Sequence, residues 1–323
     1  MEIKGIEFKV VAAAGARGWF GEGYWYHDLY KLVFPHFEEV LEKLSFVAET
    51  TTLNYRQGNL SLRPDDFTPI DLFPDCIKIY PLKGIMLNAV GLSGPGLRCL
   101  VERNQWQNIK IPFAISFMPV HEDLEGMIQE TRDFVEVMQN LVAHKNFQAP
   151  IWLQINLSCP NTEHQTDDLI EKAEGLLQLF WVLREKYNIL VDLKVNIFCP
   201  NELIGRIWER NFCDIITISN TIKWGSPGIN WKKEFWWRRS SPLAKYGGGA
   251  LSGRKIFPLV IKKIRSVRRA GIDIPLKVSG GIMSKKAVWQ VKAAGGDAIE
   301  IATVISLRPW RLAGIAREAE KIF

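Results

Sequence analysis

Cysteine and histidine are scarce, five of each in 323 residues. Cys76, Cys99, Cys159, Cys199 and Cys213 are odd in number and hold no Cys-x-x-Cys spacing. That excludes a disulfide framework and a zinc site of the usual spacing, and it suits a reducing, cytoplasmic setting. His27, His36, His121, His144 and His164 are dispersed and none ends a β-like run, so the clustered ligands of a metal hydrolase are missing and no metal is expected. No apolar run approaches the roughly 20 residues that span a bilayer. The opening segment MEIKGIEFKVVAAAGARG carries acidic residues and reads as neither a secretory signal nor an anchor, so no membrane association is expected. An early Gly-x-Gly-x-x-Gly turn is lacking too, which argues against an open dinucleotide-binding sheet. Linkers, internal repeats and low-complexity tracts are absent, and 1–323 reads as one domain.

What is present is ordinary globular material, 47% hydrophobic and 24% charged. The formal net charge of +6 is spread through amphipathic segments rather than gathered in a block, so no nucleic-acid partner is expected. The stretch from Lys232 to Ser240 interleaves aromatic and basic residues. It reads as a rim loop whose tryptophans pack over a site or against another subunit.

Short apolar runs rich in β-branched residues recur at 9–14, 46–52, 112–118, 151–158, 190–196, 214–220, 275–281 and 298–305. Between them lie stretches of helical period, among them 125–144, 168–187 and 258–271. Eight alternating units of this kind predict a (β/α)8 TIM barrel. Two segments interrupt the alternation. Residues 53–96 form a small turn-rich rim excursion after strand 2, and residues 222–249 form a long loop after strand 6.

In such a barrel the chemistry gathers at the C-terminal strand ends. Read in order, these are Gly15 and Arg17, Glu49 to Thr52, Asn156 to Asn161, Lys194 and Asn196, Ser219 to Thr221, Gly280 and Gly281, and Thr303. Converging asparagines, each a donor and an acceptor, suit a flat neutral ring such as an imide or pyrimidine. A strand-end lysine suits the electron-rich edge of a flavin, and glycine pairs let backbone N–H groups approach a phosphate. Taken singly, each residue has a plainer reading: Cys159 as a small buried side chain, Asn156 and Asn161 as turn formers, Lys194 as half of an ion pair.

The segments NLSCPNT, DLKVN, ISNT, GGGALSGRKIFPLVIKKIRSVRR, VSGGIMSKKA and AGGDAIEIATVI, with GNLSLR and MLNAVGLSGPG, together resemble the dihydroorotate dehydrogenases. The similarity runs in order from about Val10 to Val304. It implies a barrel binding flavin mononucleotide (FMN) that oxidises dihydroorotate to orotate in pyrimidine biosynthesis. Cys159 matches the base that takes the C5 proton while hydride leaves C6 for flavin N5. A cysteine there is the mark of the cytosolic class, whereas the membrane-associated class uses serine.

By the same resemblance Asn88, Asn156, Asn161 and Asn220 hold substrate beside Thr221, and the backbone N–H groups of Val90, Gly91 and Leu92 meet its carboxylate. Lys194 meets the flavin ring and Asn156 borders it. Ser252 and Gly253, Gly280 and Gly281, and Ala302 and Thr303 line its phosphate side, and Ala14, Gly15 and Thr50 approach it through backbone. Members of the class are homodimers or pair with an electron-transfer partner subunit.

One position departs from the pattern. Where the cytosolic class carries a lysine at the end of strand 2, this chain has Glu49, and Arg17 is the nearby cation that would restore the charge. Two alternatives follow: the same fold acting on another dihydropyrimidine or cyclic imide, or a non-catalytic flavin-binding partner subunit.

Overall fold

The computed structural model describes residues 1–156, 173–236 and 240–323. Eight strands close into an all-parallel barrel: Val10–Ala12, Ser45–Val47, Phe113–Phe117, Ile151–Asn156, Leu190–Val195, Ile215–Ile218, Leu276–Ser279 and Ala298–Ile301. Seven fall within one of the eight apolar runs, and the second, Ser45–Val47, begins one residue before its run. The last run was read too long: the strand stops at Ile301, Ala302 turns out of β geometry (φ −131°, ψ −61°), and Thr303–Leu307 is helical. An apolar run gives no period that separates the end of a buried strand from the start of a buried helix.

Strand alternation sorts the core into two parts. Outward-facing Phe46, Ile115, Phe117, Leu153, Leu193, Ile216, Val278 and Ile299 pack beneath the surrounding helices. Inward-facing Val11, Val47, Ala114, Trp152, Leu190, Ile215 and Ala298 form a separate apolar layer at the N-terminal end of the barrel. The antiparallel pair Glu2–Ile3 and Ile6–Glu7 leads into that layer, with Ile6 and Phe8 packed in it and the Phe8 ring edge-on to Trp152 at 5.2 Å.

The helices close the outer face. Leu124–His144 begins where Asp123 accepts a hydrogen bond from the Gly126 N–H at 2.7 Å, a cap of the kind worth about 1 kcal/mol. Phe257–Arg269, expected at 258–271, follows the sixth strand. The stretch expected as one helix over 168–187 is interrupted by a turn at Leu179–Phe180 before Trp181–Lys186; its first residues lie outside the described ones. No helix among the described residues is long and apolar enough to cross a membrane.

The two interruptions prove to be one structure. Ile77–Tyr80 and Ile85–Asn88 from the rim excursion join Ile222–Lys223 at the start of the loop after strand 6 and Ala250–Gly253 just past its expected end, in one antiparallel sheet. Each segment alone would leave strand edges open, and together they satisfy each other's backbone. Phe235 and Trp236 of the aromatic-basic stretch pack on this sheet. Trp224 lies 4.8 Å from both Trp231 and Phe235, and Tyr80 lies 5.3 Å from Phe235 and Trp236.

Candidate functional site

At the C-terminal mouth of the barrel, strands 2, 3 and 4 each contribute a polar group to one cluster. The Thr50 and Ser116 hydroxyls are 2.9 Å apart, and Asn156 Nδ2 donates to Thr50 Oγ1 at 2.8 Å and to Ser116 Oγ at 3.1 Å. Asn156 is 5% exposed, and its Oδ1 has no hydrogen-bond partner among the described residues. A buried amide oxygen held rigid by its own nitrogen and left without a donor is suited to a ligand N–H.

Ser116 was not picked out from the sequence. Its signal was present in Phe-Ala-Ile-Ser-Phe, where alternation turns Ala114 and Ser116 inward and makes the serine the only polar side chain of that strand.

Lys194 enters from strand 5, in register with Asn156 on strand 4. Its ammonium is 2.7 Å from Glu300 Oε1 on strand 8. Beneath it is a polar layer that the sequence reading missed. Lys277 Nζ sits 2.9 Å from Glu300 Oε2 and 2.7 Å from Asp192 Oδ2. Gln154 Nε2 donates to both carboxylates at 2.8 and 2.9 Å, and the Thr217 hydroxyl donates to Asp192 Oδ1 at 2.6 Å.

Asp192, Thr217, Lys277 and Glu300 are fully buried. Burial alone would push the Glu300 carboxyl up, but Lys194 and Lys277 overcome it and hold the group down at about 2. The Lys277 ammonium, which burial disfavours, is raised by Asp192 and Glu300. It also lies 5.4 and 5.8 Å from the Trp152 and Phe8 ring centroids, directly above the apolar layer.

Strands 7 and 8 are adjacent, with Ser279 opposite Glu300, so the segments Gly280–Gly281 and Ala302–Thr303 leave neighbouring strand ends. Gly253 arrives from the rim sheet. A Cβ on Gly281 would lie 2.7 Å from the Gly253 carbonyl oxygen, and one on Gly253 would lie 2.3 Å from that of Gly84. Both have positive φ, so side chains are excluded by contact and by conformation, and bare backbone is brought together. Ser252 pairs with Met86, two residues before Asn88 on the same sheet.

The Val90–Leu92 loop is held through its carbonyls. Asn59 Nδ2 donates to Ala89 O at 2.7 Å, Asn59 N to Val90 O at 2.8 Å, and Arg56 Nε to Gly91 O at 3.0 Å. Asn220 Oδ1 accepts from the Thr221 N–H at 2.9 Å, and the Asn220 N–H donates to Val195 O at 3.0 Å, which anchors this turn to strand 5. Gly15 follows the first strand in a left-handed conformation, beside Ala14, with open space where a side chain would point. Cys159 and Asn161 lie outside the described residues, as does His164.

Glu49 does not stand free in the mouth. Its carboxylate accepts from the Tyr24 hydroxyl. Burial pushes the carboxyl up, the Glu22 charge adds to this, and the Tyr24 hydrogen bond and Lys194 oppose it. Burial and the Glu49 charge in turn raise the Tyr24 phenol well above its ordinary value.

Arg17 does not supply the compensating charge. It is 8% exposed and donates to the carbonyls of Leu41 at 2.7 Å, Leu44 at 3.1 Å and Gly21 at 3.2 Å. It thus closes the end of the helix Phe37–Lys43, with its guanidinium 4.9 Å from the Phe46 ring centroid. Three unpaired helix-end and turn carbonyls made a closer acceptor set than the barrel mouth. Among the described residues no group of His, Cys, Asp and Glu could hold a metal ion.

The sequence profile of the family described as "Dihydroorotate dehydrogenase" matches residues 73–323. The "Dihydroorotate dehydrogenase B (NAD(+)), catalytic subunit" of Cutibacterium acnes is 28% identical over 292 residues, covering 89% of this chain and 81% of that protein. Its namesake from a Geobacillus species is 26% identical over 322 residues, covering 98% and 88%. A solved structure of DHODH from Eimeria tenella, in complex with ferulenol, superposes with a TM-score of 0.66 at 17% identity, covering 99% of this chain and 83% of that one.

Proposed function

Because the chain belongs to the dihydroorotate dehydrogenase family, we propose that this barrel binds FMN at its C-terminal mouth and oxidises the CH–CH bond of dihydroorotate to give orotate. The observation that carries the reading is the Asn156 amide: buried, fixed by Thr50 and Ser116, and left with an acceptor oxygen that has no partner among the described residues. FMN, when bound, supplies the two-electron acceptor for the hydride.

The residues present fit that group. Lys194 offers a cation to the electron-rich edge of the ring system, with Ala14, Gly15 and Thr50 alongside. Gly253, Gly280, Gly281, Ser252, Ala302 and Thr303 bring backbone and hydroxyl donors to the phosphate side, where side chains are excluded.

Cys159 acts as the base for the C5 proton. An ordinary thiol has a pKa near ~8.5, so its thiolate needs electropositive surroundings or concerted hydride loss. Asn88, Asn156, Asn161 and Asn220 orient the ring with Thr221, and the N–H groups of Val90, Gly91 and Leu92 receive the carboxylate. We assign residues 1–323 to one domain. The electron acceptor is reached through a partner subunit, as the catalytic-subunit names of the relatives suggest, and the assembly is built on a homodimer in the cytoplasm.

Glu49 favours one second reading. A carboxylate at the end of strand 2 is a poor neighbour for an anionic substrate, and it favours an uncharged dihydropyrimidine or cyclic imide. Its engagement with the Tyr24 hydroxyl reduces that conflict and keeps dihydroorotate as the leading substrate.

The test is the Cys159→Ala variant. It is expected to retain FMN, identified after release from the denatured protein, while losing anaerobic flavin reduction by dihydroorotate by several orders of magnitude. Wild-type reduction rates in the variant would remove Cys159 from the reaction.

A further inference from the structure

Four charged side chains fill the middle of the barrel in an unbroken chain: Lys194 to Glu300 at 2.7 Å, Glu300 to Lys277 at 2.9 Å, and Lys277 to Asp192 at 2.7 Å. Two cations and two anions make the set formally neutral. Stability alone does not call for it, since burying charges carries a desolvation cost that apolar filling avoids. The layer just beneath shows that this barrel fills its interior with Val11, Val47, Ala114, Trp152, Leu190, Ile215 and Ala298. Lys194 is the member of the set nearest the mouth, 6% exposed where the other three are at 0%. The network therefore has one end at the site and the rest sealed.

We infer that Glu300 is a positioning residue that fixes Lys194 and offsets part of its positive charge, and so sets the reduction potential of the bound flavin. The inference rests on the reading that Lys194 faces the flavin. A cation beside the ring stabilises the reduced, anionic form and raises the potential, and an anion 2.7 Å behind that cation weakens the field it projects. Glu300 itself is shared. Its second oxygen is held by Lys277 and Gln154, which draws its charge away from Lys194 and leaves the lysine part of its field. Asp192 governs how strongly Lys277 pulls, so the potential at the mouth depends on residues that touch neither flavin nor substrate. The low Glu300 titration point agrees with a carboxylate that stays charged throughout the working range.

The experiment is the flavin midpoint potential of the holoenzyme, measured anaerobically by dye equilibration, in wild type, Lys194→Met, Glu300→Gln and the double variant. Lys194→Met is expected to lower the potential. Glu300→Gln, which keeps the shape and removes the charge, is expected to raise it, and that rise is expected to vanish in the double variant. If Lys194→Met lowers the potential while Glu300→Gln leaves it unchanged or lower, the inference falls and the Lys194 contact stands. If neither single variant moves it, the Lys194 contact falls as well. Should Glu300→Gln fail to retain flavin, Asp192→Asn provides the second probe. It frees Lys277 to engage Glu300 more fully and is expected to produce a smaller rise; an unchanged potential overturns the inference.

Discussion

Replacing Lys277 by methionine tests the polar layer through stability. Methionine keeps the apolar stem as far as Cε but gives up the ammonium over the Phe8 and Trp152 rings, and it leaves the Glu300 and Asp192 oxygens that now lie 2.9 and 2.7 Å from an ammonium without their cation. Removing one partner of a buried pair costs about 3–5 kcal/mol, chiefly because the remaining charge stays buried. Glu300 retains Lys194 and Asp192 retains the Thr217 hydroxyl, with Gln154 donating to both, so the lower end, about 3 kcal/mol, is expected. That is a large share of the roughly 5–15 kcal/mol that a folded protein typically has. Urea unfolding at fixed flavin concentration, followed by far-ultraviolet circular dichroism and by tryptophan fluorescence, measures it. Adding Asp192→Asn removes the carboxylate left most exposed to the loss. The double variant should therefore be more stable than the sum of the two single effects implies, by about 1–2 kcal/mol. A Lys277→Met protein within about 0.5 kcal/mol of wild type, or strict additivity in the double variant, would refute the reasoning.

Other expectations follow from single contacts. His27 is 2% exposed among Tyr26, Tyr30 and Phe37, and burial, helped by Arg17 and Lys31, lowers it to about 4. The unfolded chain takes up that proton near pH ~6.5, so the stabilisation is complete above this value and lost as pH falls toward the folded value, a change of about 3 kcal/mol. His27→Phe should flatten the stability profile in that window, and an unchanged slope would contradict it. Ser116→Ala removes one of two acceptors for Asn156 Nδ2, and flavin or substrate affinity should weaken by roughly five- to tenfold, about 1 kcal/mol, in a binding titration. Arg17→Ala should lower stability by about 1–3 kcal/mol through its carbonyl contacts while leaving the rate of flavin reduction unaltered; a specific loss of reduction would restore it to the site.

The barrel was legible because its eight strands are short runs dominated by apolar residues and separated by helical periods, a pattern few other folds produce. The rim sheet was not, because its partners are separated by more than a hundred residues and pairing between distant segments leaves no local period. Ile85–Asn88 lies inside one interruption and Ala250–Gly253 just past the end of the other, and nothing local joins them. Among the candidate site residues, Asn156, Lys194 and the glycines after strand 7 stood out because polar or flexible residues at strand ends break an apolar run. Asp192, Lys277 and Glu300 escaped notice because each lies singly inside a strand. Their meaning appears only when three strands bring them within ion-pair distance. Arg17 was misjudged because proximity in sequence to Gly15 says nothing of which carbonyls its side chain meets.

The most direct measurement of the central claim is an anaerobic titration of the purified, flavin-loaded protein with dihydroorotate, followed by its visible spectrum. The account predicts that the oxidised flavin bands bleach and that orotate accumulates as the flavin is reduced. Bands that persist under dihydroorotate yet bleach on chemical reduction would contradict dihydroorotate as the substrate and point to the uncharged ring that Glu49 favours.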